Sequence, residues 1–170
     1  MTETIAELTA RFPRPGTVTW IGVRPERKAP LVPVSSVAIT ENGLAGDHRK
    51  RPGKRAVTLI QAEHLPAVAS LAGLETLDPA ILRRNVVVSG INLIALRNRT
   101  FRLGGAVLRG TGLCAPCSRM EQALGPGGYN AMRGHGGITA EVVAPGELAL
   151  GDALTWDNAD AAHIGDTSSR

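Results

Sequence analysis

The sequence predicts a mainly β domain, a curved or closed β-barrel with short flanking helices. Three observations predict it. Short runs rich in Val, Ile and Thr recur along the chain, glycine- and proline-bearing turns join them, and no repeat of fixed period sets up a solenoid or propeller. Many short strands with such joins favour a sheet that closes on itself, because closure satisfies the hydrogen-bonding groups left open at a sheet edge. At 170 residues, 43% apolar and 20% charged, the chain can build one substantial core, whereas two separate domains would each fall near the size where stability fails.

Ile5, Leu8 and Phe12 recur at three- and four-residue spacing and predict an amphipathic helix over 4–12, stopped before Pro13 and Pro15. Residues 1–15 therefore read as an appendage to a domain spanning 16–156. Runs 17–23 and 34–40 carry the Val, Thr, Ile and Trp content of strands, and the charged, proline-containing loop between them can reach toward a ligand. Gly43-Leu44-Ala45-Gly46-Asp47 marks a turn, followed by a basic stretch over 48–55 and a strand over 56–60. A helix over 63–71 accommodates Pro66 only in its first turn, where the missing N–H costs nothing. Asp78-Pro79 pairs a capping side chain with a proline preset for the first helical position, and predicts a helix running to about Asn85. Val86-Val87-Val88 then predicts a strand closed by Gly90, and runs 101–103 and 106–111 a hairpin around Gly104-Gly105. Pro116 and the run 118–124, ended by Gly125-Pro126, predict a short helix. The last strands fall in 138–143 and 148–156, joined through Pro145-Gly146-Glu147 and bent at Gly151-Asp152. Beyond Trp156 the chain turns small and polar, so 157–170 predict a mobile tail.

Composition removes several function classes. No apolar run approaches the roughly 18 residues needed to cross a bilayer, and the first residues lack a basic segment leading into a hydrophobic stretch. A cytoplasmic protein without a membrane contact is expected. Only Phe12, Trp20, Phe101, Tyr129 and Trp156 carry large rings, too few to stack a single-stranded nucleic acid. The net charge is +4, and 48–55 concentrates Arg49, Lys50, Arg51, Lys54 and Arg55. A phosphate or another anion is the natural partner of such a loop, since Arg grips an oxyanion through two parallel hydrogen bonds. Duplex nucleic acid would use the same field, but no zinc-finger or recognition-helix motif accompanies it, which leaves a nucleic-acid-binding module as a distant alternative.

The cysteine pair Cys114 and Cys117, separated by Ala115 and Pro116, carries the strongest chemical signal. If Pro116 opens the helix, Cys117 falls in its first turn, where free amides and the positive helix end favour a thiolate. Cys117 is then the nucleophile or metal ligand, with Arg119 and the loop bases strengthening the effect if they fold over the sulfur. Cys114 reads as a secondary ligand, a resolving thiol or a packed bystander. The competing readings are two small core groups, or a disulfide present as a redox state. A structural zinc centre lacks a second Cys or His pair, and a thioredoxin-type exchange lacks its βαβ setting. His48, in the polar loop, can bind an anion or move a proton, or simply be solvated. His64 falls on a helix and reads as a packing or surface residue, and His163 falls in the tail. His135, within Arg133-Gly134-His135-Gly136-Gly137, has the surroundings of a ligand site or of a tight turn.

Taken in order, Gly43-Leu44-Ala45-Gly46-Asp47-His48, the run from Ala56 to His64, Arg83-Arg84-Asn85-Val86-Val87-Val88-Ser89-Gly90 and Cys114-Ala115-Pro116-Cys117 resemble the MOSC family, named for the molybdenum-cofactor sulfurase C-terminal domain. Phe101-Arg102-Leu103-Gly104, Gly134-His135-Gly136-Gly137 and Gly151-Asp152 extend the resemblance over about 16–156. The resemblance implies a MOSC-type barrel with a cleft for a molybdenum-containing pterin. Cys117 matches the cysteine whose thiolate holds molybdenum in members active on N-hydroxylated compounds, Asp47 the Asp after the Gly-rich turn, and Asn85 and Gly90 the Asn and Gly before the second group of strands. The basic side chains Arg49, Lys50, Arg51, Arg55, Arg119 and Arg133 are then candidates for orienting the cofactor, and His48 and His135 for proton transfer. His48 follows Asp47 directly, where family members often place another residue between them. The chain is also too short for the pyridoxal-phosphate domain of the sulfurase or the extra N-terminal domain of the mitochondrial amidoxime-reducing members. The expected function is a molybdenum-cofactor-binding oxidoreductase that reduces a small N-hydroxylated substrate with electrons from an external donor protein, since no flavin or iron–sulfur framework is visible. The alternative is a non-enzymatic cofactor carrier or sulfur-transfer module holding a persulfide on Cys117 for a cofactor-receiving enzyme. An open cleft of this kind is completed by a partner protein or by a homodimer.

Overall fold

In the computed structural model, which describes residues 2–157, a seven-stranded sheet closes into a barrel. Its strands are β1 (Gly16–Val23), β5 (Val57–Gln61), β6 (Val86–Ser89), β7 (Thr100–Leu103), β8 (Ala106–Leu113), β9 (Ile138–Ala144) and β11 (Ala153–Trp156). The order around the barrel is β1-β6-β5-β9-β8-β7-β11, and β11 returns to pair with β1. Within the barrel β5 and β6 run parallel, joined by the crossover helix α2 (His64–Ala72), and the other pairs are antiparallel. Outside it, β2 (Val32–Pro33) extends from β1, and β3 (Ser36–Thr40) lies between β4 (Gly43–Leu44) and β10 (Gly146–Ala149) as a small second sheet. The closed, mainly β architecture expected from the sequence is the one observed.

The valine run 86–88 shows how the pattern works. Val86 and Val88 point into the barrel with Leu59, Phe101, Leu103 and Leu108, whereas Val87 faces outward with Ile60. That outer face is not wet. Helices α2, α3 (Ser118–Leu124) and α4 (Gly128–Met132) cover it through Val68, Met120, Leu124 and Met132. Both faces of β6 are therefore buried, which is why its sequence reads as an unbroken apolar run. Each fully buried Leu or Phe of these clusters contributes roughly 1.5–3 kcal/mol. In β1 an irregularity between Val18 and Trp20 shifts the alternation, so that Val18 and Ile21 both reach the interior while Trp20 packs on the helix side.

Two sequence expectations need correction, and two short helical elements are not foreseen in the sequence. The helix expected from Asp78 to about Asn85 is a single 3-10 turn, Pro79–Leu82. Its start is as expected, with the Asp78 side chain accepting from the Ala80 amide, but Arg83 adopts a left-handed conformation at φ 62° and turns the chain into β6. Pro116 does not open α3. Cys117 occupies the cap position, extended at φ −126° and ψ 172°, so it precedes the first turn rather than lying in it. The stretch after Gly125 holds α4, and a second 3-10 turn, Leu93–Leu96, follows β6; neither carries an apolar periodicity long enough to announce it. At the front of the chain α1 (Ile5–Thr9) begins on Thr4 with a reciprocal Glu7 capping box, and Phe12 lies against Trp156 with ring centroids 4.4 Å apart. Of the tail expected over 157–170, all but Asp157 lies outside the described residues, as does His163.

Candidate functional site

A polar cleft of about 200 Å³ opens where the end of β1, the loop after β4, the start of β6 and the cysteine segment meet. Asn85 is its structural centre. The buried amide donates through Nδ2 to Asp47 Oδ2 at 2.7 Å and to the Gly22 carbonyl at 3.2 Å, while its Oδ1 accepts from Thr58 Oγ1 at 3.0 Å. Backbone bonds run beside these: the Gly22 amide donates to the Asn85 carbonyl at 2.8 Å, and the Asn85 amide to Thr58 Oγ1 at 3.0 Å. One side chain thus ties β1, β5 and the Asp47 loop together. The turn that delivers Asp47 requires Gly43, at φ 114°, because a Cβ there would stand 2.3 Å from the Ala56 carbonyl oxygen.

The other oxygen of Asp47 lies 2.7 Å from His48 Nδ1 and also accepts the His48 amide at 2.8 Å. A carboxylate in that position assigns the Nδ1 proton to the ring and leaves Nε2 as the acceptor. Arg24 closes over the imidazole, with Nη2 3.5 Å from Nε2, and its Nη1 is buried without a partner among the described residues. Burial pulls the Arg24 guanidinium below its ordinary value; Asp47 opposes that shift and Arg119 adds to it.

Beneath the cysteine segment lies Arg84, only 4% exposed. It donates to the carbonyls of Gly136 and Leu82 at 2.8 Å each and of Cys114 at 2.9 Å. All its partners are neutral carbonyls. Burial lowers its value as well, and the neighbouring Cys114 and Cys117 act in the opposite direction. The segment can sit this close to the chain before β9 because residue 136 is glycine: a Cβ there would stand 2.2 Å from the Cys114 carbonyl oxygen. Cys114 is buried with its sulfur 3.9 Å from Arg55 Nη2, whereas Cys117 is exposed at the cleft.

The charge balance of the cleft follows directly. Five guanidinium groups line it, those of Arg24, Arg49, Arg55, Arg83 and Arg84, against the single carboxylate of Asp47. Among the described residues the ion pairs are Arg11 with Glu3 and His48 with Asp47, so none of the five arginines is neutralised by a carboxylate. Buried or half-buried positive charge left unpaired inside a protein is costly, and an anion placed among these groups removes that cost. No three His, Cys, Asp or Glu side chains converge as a metal centre among the described residues.

The profile of the MOSC domain matches residues 41–155, which includes the Asp47 loop, Asn85 and both cysteines. This chain belongs to the MOSC domain family. Membership supports a role connected with the molybdenum cofactor in general terms. No curated protein matches the chain in sequence. Among solved structures, the YuaD protein from Bacillus subtilis superposes with a TM-score of 0.73 at 18% identity, covering 85% of this chain and 98% of that one. YiiM from Escherichia coli gives 0.67 at 21% identity over 85% of this chain and 70% of that one. YiiM from Geobacillus stearothermophilus gives 0.67 at 20% identity over 84% and 75%. At such identities these likenesses bear on the fold.

Within this MOSC fold the candidate residues divide. Asp47, His48, Arg49, Arg55, Asn85 and Cys117 all line the cleft. Lys50 and Arg51 are exposed and not part of its lining, although the Arg51 carbonyl accepts from Arg49 Nε at 3.1 Å. Arg119 lines a neighbouring groove, and Arg133 a small separate cavity that also touches Cys114. His135 is not a cleft residue. Its ring meets His64 edge-on at 5.1 Å, and Nδ1 of both is buried without a partner among the described residues. Of the glycines around His135, Gly136 serves the approach to Cys114, Gly137 the approach to the Leu59 carbonyl, and Gly134 meets nothing within 4 Å. Arg24, Thr58, Arg83 and Arg84 are cleft residues that local sequence reasoning does not single out. The only sequence signal for the last two is their place in Arg83-Arg84-Asn85, directly before an apolar strand.

Proposed function

We propose that the protein holds a molybdenum–pterin cofactor in this cleft and reduces a small N-hydroxylated substrate with electrons from an external donor protein. The carrying observation is an exposed thiol, Cys117, at a cleft with five guanidinium groups and one carboxylate. The residues present fit such a group. Among the described residues no three His, Cys, Asp or Glu side chains converge, and a metal that carries its own sulfur donors, as in a pterin dithiolene, asks of the protein only one soft ligand. Cys117 is that ligand, and Arg24, Arg49, Arg55 and Arg84 offer the positive surroundings that the anionic cofactor requires.

Bound there, molybdenum supplies the two-electron redox chemistry. The balanced reaction is R–NH–OH + 2 e⁻ + 2 H⁺ → R–NH₂ + H₂O: the N–O bond breaks, nitrogen is reduced and the oxygen leaves as water. The electrons come from a donor of the flavin or iron–sulfur class. His48 is the candidate proton-handling group of the cleft wall, its Nδ1 side held by Asp47 and its Nε2 facing the Arg24 guanidinium at 3.5 Å. Asn85 keeps Asp47 in place, and Arg84 keeps the backbone on which Cys117 is mounted.

Expression in a cofactor-competent host, followed by molybdenum and pterin quantification and reduction of benzamidoxime with a chemical donor, tests this reading. Near-stoichiometric metal and the formation of benzamidine, the amidine left when the N–O bond is cleaved, are expected. Folded protein that carries neither metal nor pterin would end it. The contrast between exposed Cys117 and buried Cys114 also favours the second reading, a persulfide held on Cys117 for transfer. Mass spectrometry after sulfur loading is expected to find sulfane sulfur on Cys117; its absence when a positive control loads removes that version.

A further inference from the structure

A second and larger space, about 860 Å³, lies beside the cleft between the loop 28–33, the turn Pro79–Leu82 and α3. The two spaces share Leu31 and Arg83 in their walls, so a molecule in the groove can extend one end to the cleft. Apolar groups form most of the groove lining: Leu31, Pro33, Ala80, Ile81, Met120 and Ala123. Ile81 is 39% exposed, a large aliphatic side chain left open to solvent. The charged lining is Lys28, Arg83 and Arg119 against Asp78, and the Asp78 carboxylate already accepts the Ala80 amide at 2.9 Å. Arg83 has no hydrogen-bond or ion-pair partner among the described residues, although it is half-buried. Its left-handed backbone, at φ 62°, lets successive arginines part: Arg84 is consumed by carbonyls below the cysteine segment, while Arg83 stays at the junction of the two spaces.

We propose that this groove is the substrate site and that it selects organic acids: a compact apolar body lying on Ile81 and Ala123, with a carboxylate or phosphate held by Arg119 and Lys28 and the reducible end directed past Arg83 to the cleft. The aliphatic lining favours the body by burial without stacking, since no aromatic side chain lines the groove. The excess of cations rewards an acidic group and gives no such reward to its neutral counterpart. This rests on the reading of the cleft as the reaction centre, but its test does not require molybdenum.

The test is calorimetric binding of 4-carboxybenzamidoxime and of neutral benzamidoxime to cofactor-free protein, in the parent and in variants. The acid is expected to bind about tenfold more tightly than the neutral compound, the reward of one charge-assisted contact. The double variant Lys28→Gln, Arg119→Gln is expected to remove that preference, and Ile81→Trp or Ala123→Trp to weaken both ligands at least tenfold by filling the groove. Equal affinities in the parent, or a preference that survives the double variant, overturn the assignment; the latter places the acid in the cleft. Both tryptophan variants, expressed in a cofactor-competent host, are expected to carry molybdenum and pterin at the parent level. Loss of cofactor from both, with the fold intact by circular dichroism, would assign the groove to the cofactor and overturn the proposal. Absence of cofactor from the parent itself would defeat the redox reading while leaving the binding preference standing or falling on its own.

Discussion

Replacing Asn85 by leucine removes the amide that joins three parts of the fold while keeping the branched outline of the side chain. The losses can be summed from the structure. The bond to the Asp47 carboxylate at 2.7 Å involves a charged partner and is worth about 1.5–3 kcal/mol; the bonds to the Gly22 carbonyl at 3.2 Å and from Thr58 Oγ1 at 3.0 Å are worth about 1 kcal/mol each. Burying the leucine offsets about 1 kcal/mol of this. The expected net loss is about 3 kcal/mol, a large share of the 5–15 kcal/mol typical of a domain, and close to a 10 °C fall in Tm for this size. Urea unfolding followed by circular dichroism measures it directly, with the slope against denaturant unchanged if the unfolded state is unaffected. A loss below about 1 kcal/mol with unchanged slope would refute the reasoning, because water would then be replacing the amide around Asp47 and the cleft wall would not depend on Asn85.

Cys117→Ser is expected to keep the fold, since the side chain is exposed, and to lose most molybdenum and pterin, with Cys114→Ser affecting retention less; equal retention in folded Cys117→Ser and parent counts against Cys117 as the anchor. Gly136→Ala forces a Cβ to within 2.2 Å of the Cys114 carbonyl oxygen and 3.0 Å of Arg84 Nη2, so a loss of about 1–3 kcal/mol is expected by urea unfolding, together with a changed rate of Cys117 alkylation by iodoacetamide. Gly134→Ala, which meets nothing within 4 Å but sits at φ 80°, isolates the backbone cost and should lose only about 1 kcal/mol without moving that rate. Burial holds His64 below its ordinary value of 6.5, reinforced by His135 and opposed by Glu63. The unfolded chain therefore takes up the proton first as pH falls, and the stability present above about 6.5 is lost on acidification through the folded value. Unfolding midpoints from pH 8 to 5 should fall more steeply in the parent than in His64→Leu, and parallel curves would remove His64 as the cause.

What the sequence showed of the fold depended on whether the cause was local. The strand at 86–88 and the hairpin at Gly104-Gly105 were legible because composition and turn chemistry specify them within a few residues. The pairing that closes the barrel, Gly16 with Leu154 and Thr17 with Ala153, runs through backbone groups more than 130 positions apart and leaves no mark in residue type; closure could only be argued as the solution to open edges. The helix expected after Asp78 failed at Arg83, whose left-handed turn is imposed by the run of β6 into the barrel and by no glycine or asparagine at that position. Cys117 fell one position outside the helix for a related reason: the Cys114 amide donates to the Gly137 carbonyl at 2.8 Å and the Cys114 carbonyl accepts from Arg84, so the chain leaves β8 extended.

The cleft lining was legible where a residue could be matched by motif, as at Asp47, Asn85 and Cys117, and illegible where it depends on a burial that only the closed chain creates. In a sequence Arg84 is one more basic residue; in the fold it is 4% exposed and bound to carbonyls from Leu82, Cys114 and Gly136. Leu82 is its near neighbour, but Cys114 and Gly136 reach it from 30 and 52 positions away, and no spacing rule connects them. The exposed bases Lys50 and Arg51 made the loop look like the source of the positive field, yet solvent screens them and neither lines the cleft, whose guanidinium groups are those of Arg24, Arg49, Arg55, Arg83 and Arg84. Charge that water cannot reach is costly to keep and is not retained without compensation. Among the described residues no carboxylate pairs with these arginines, since Asp47 is already shared between His48 and Asn85. An anion placed among these guanidinium groups would supply that compensation, which is the physical argument for reading the space as an anion-binding cleft.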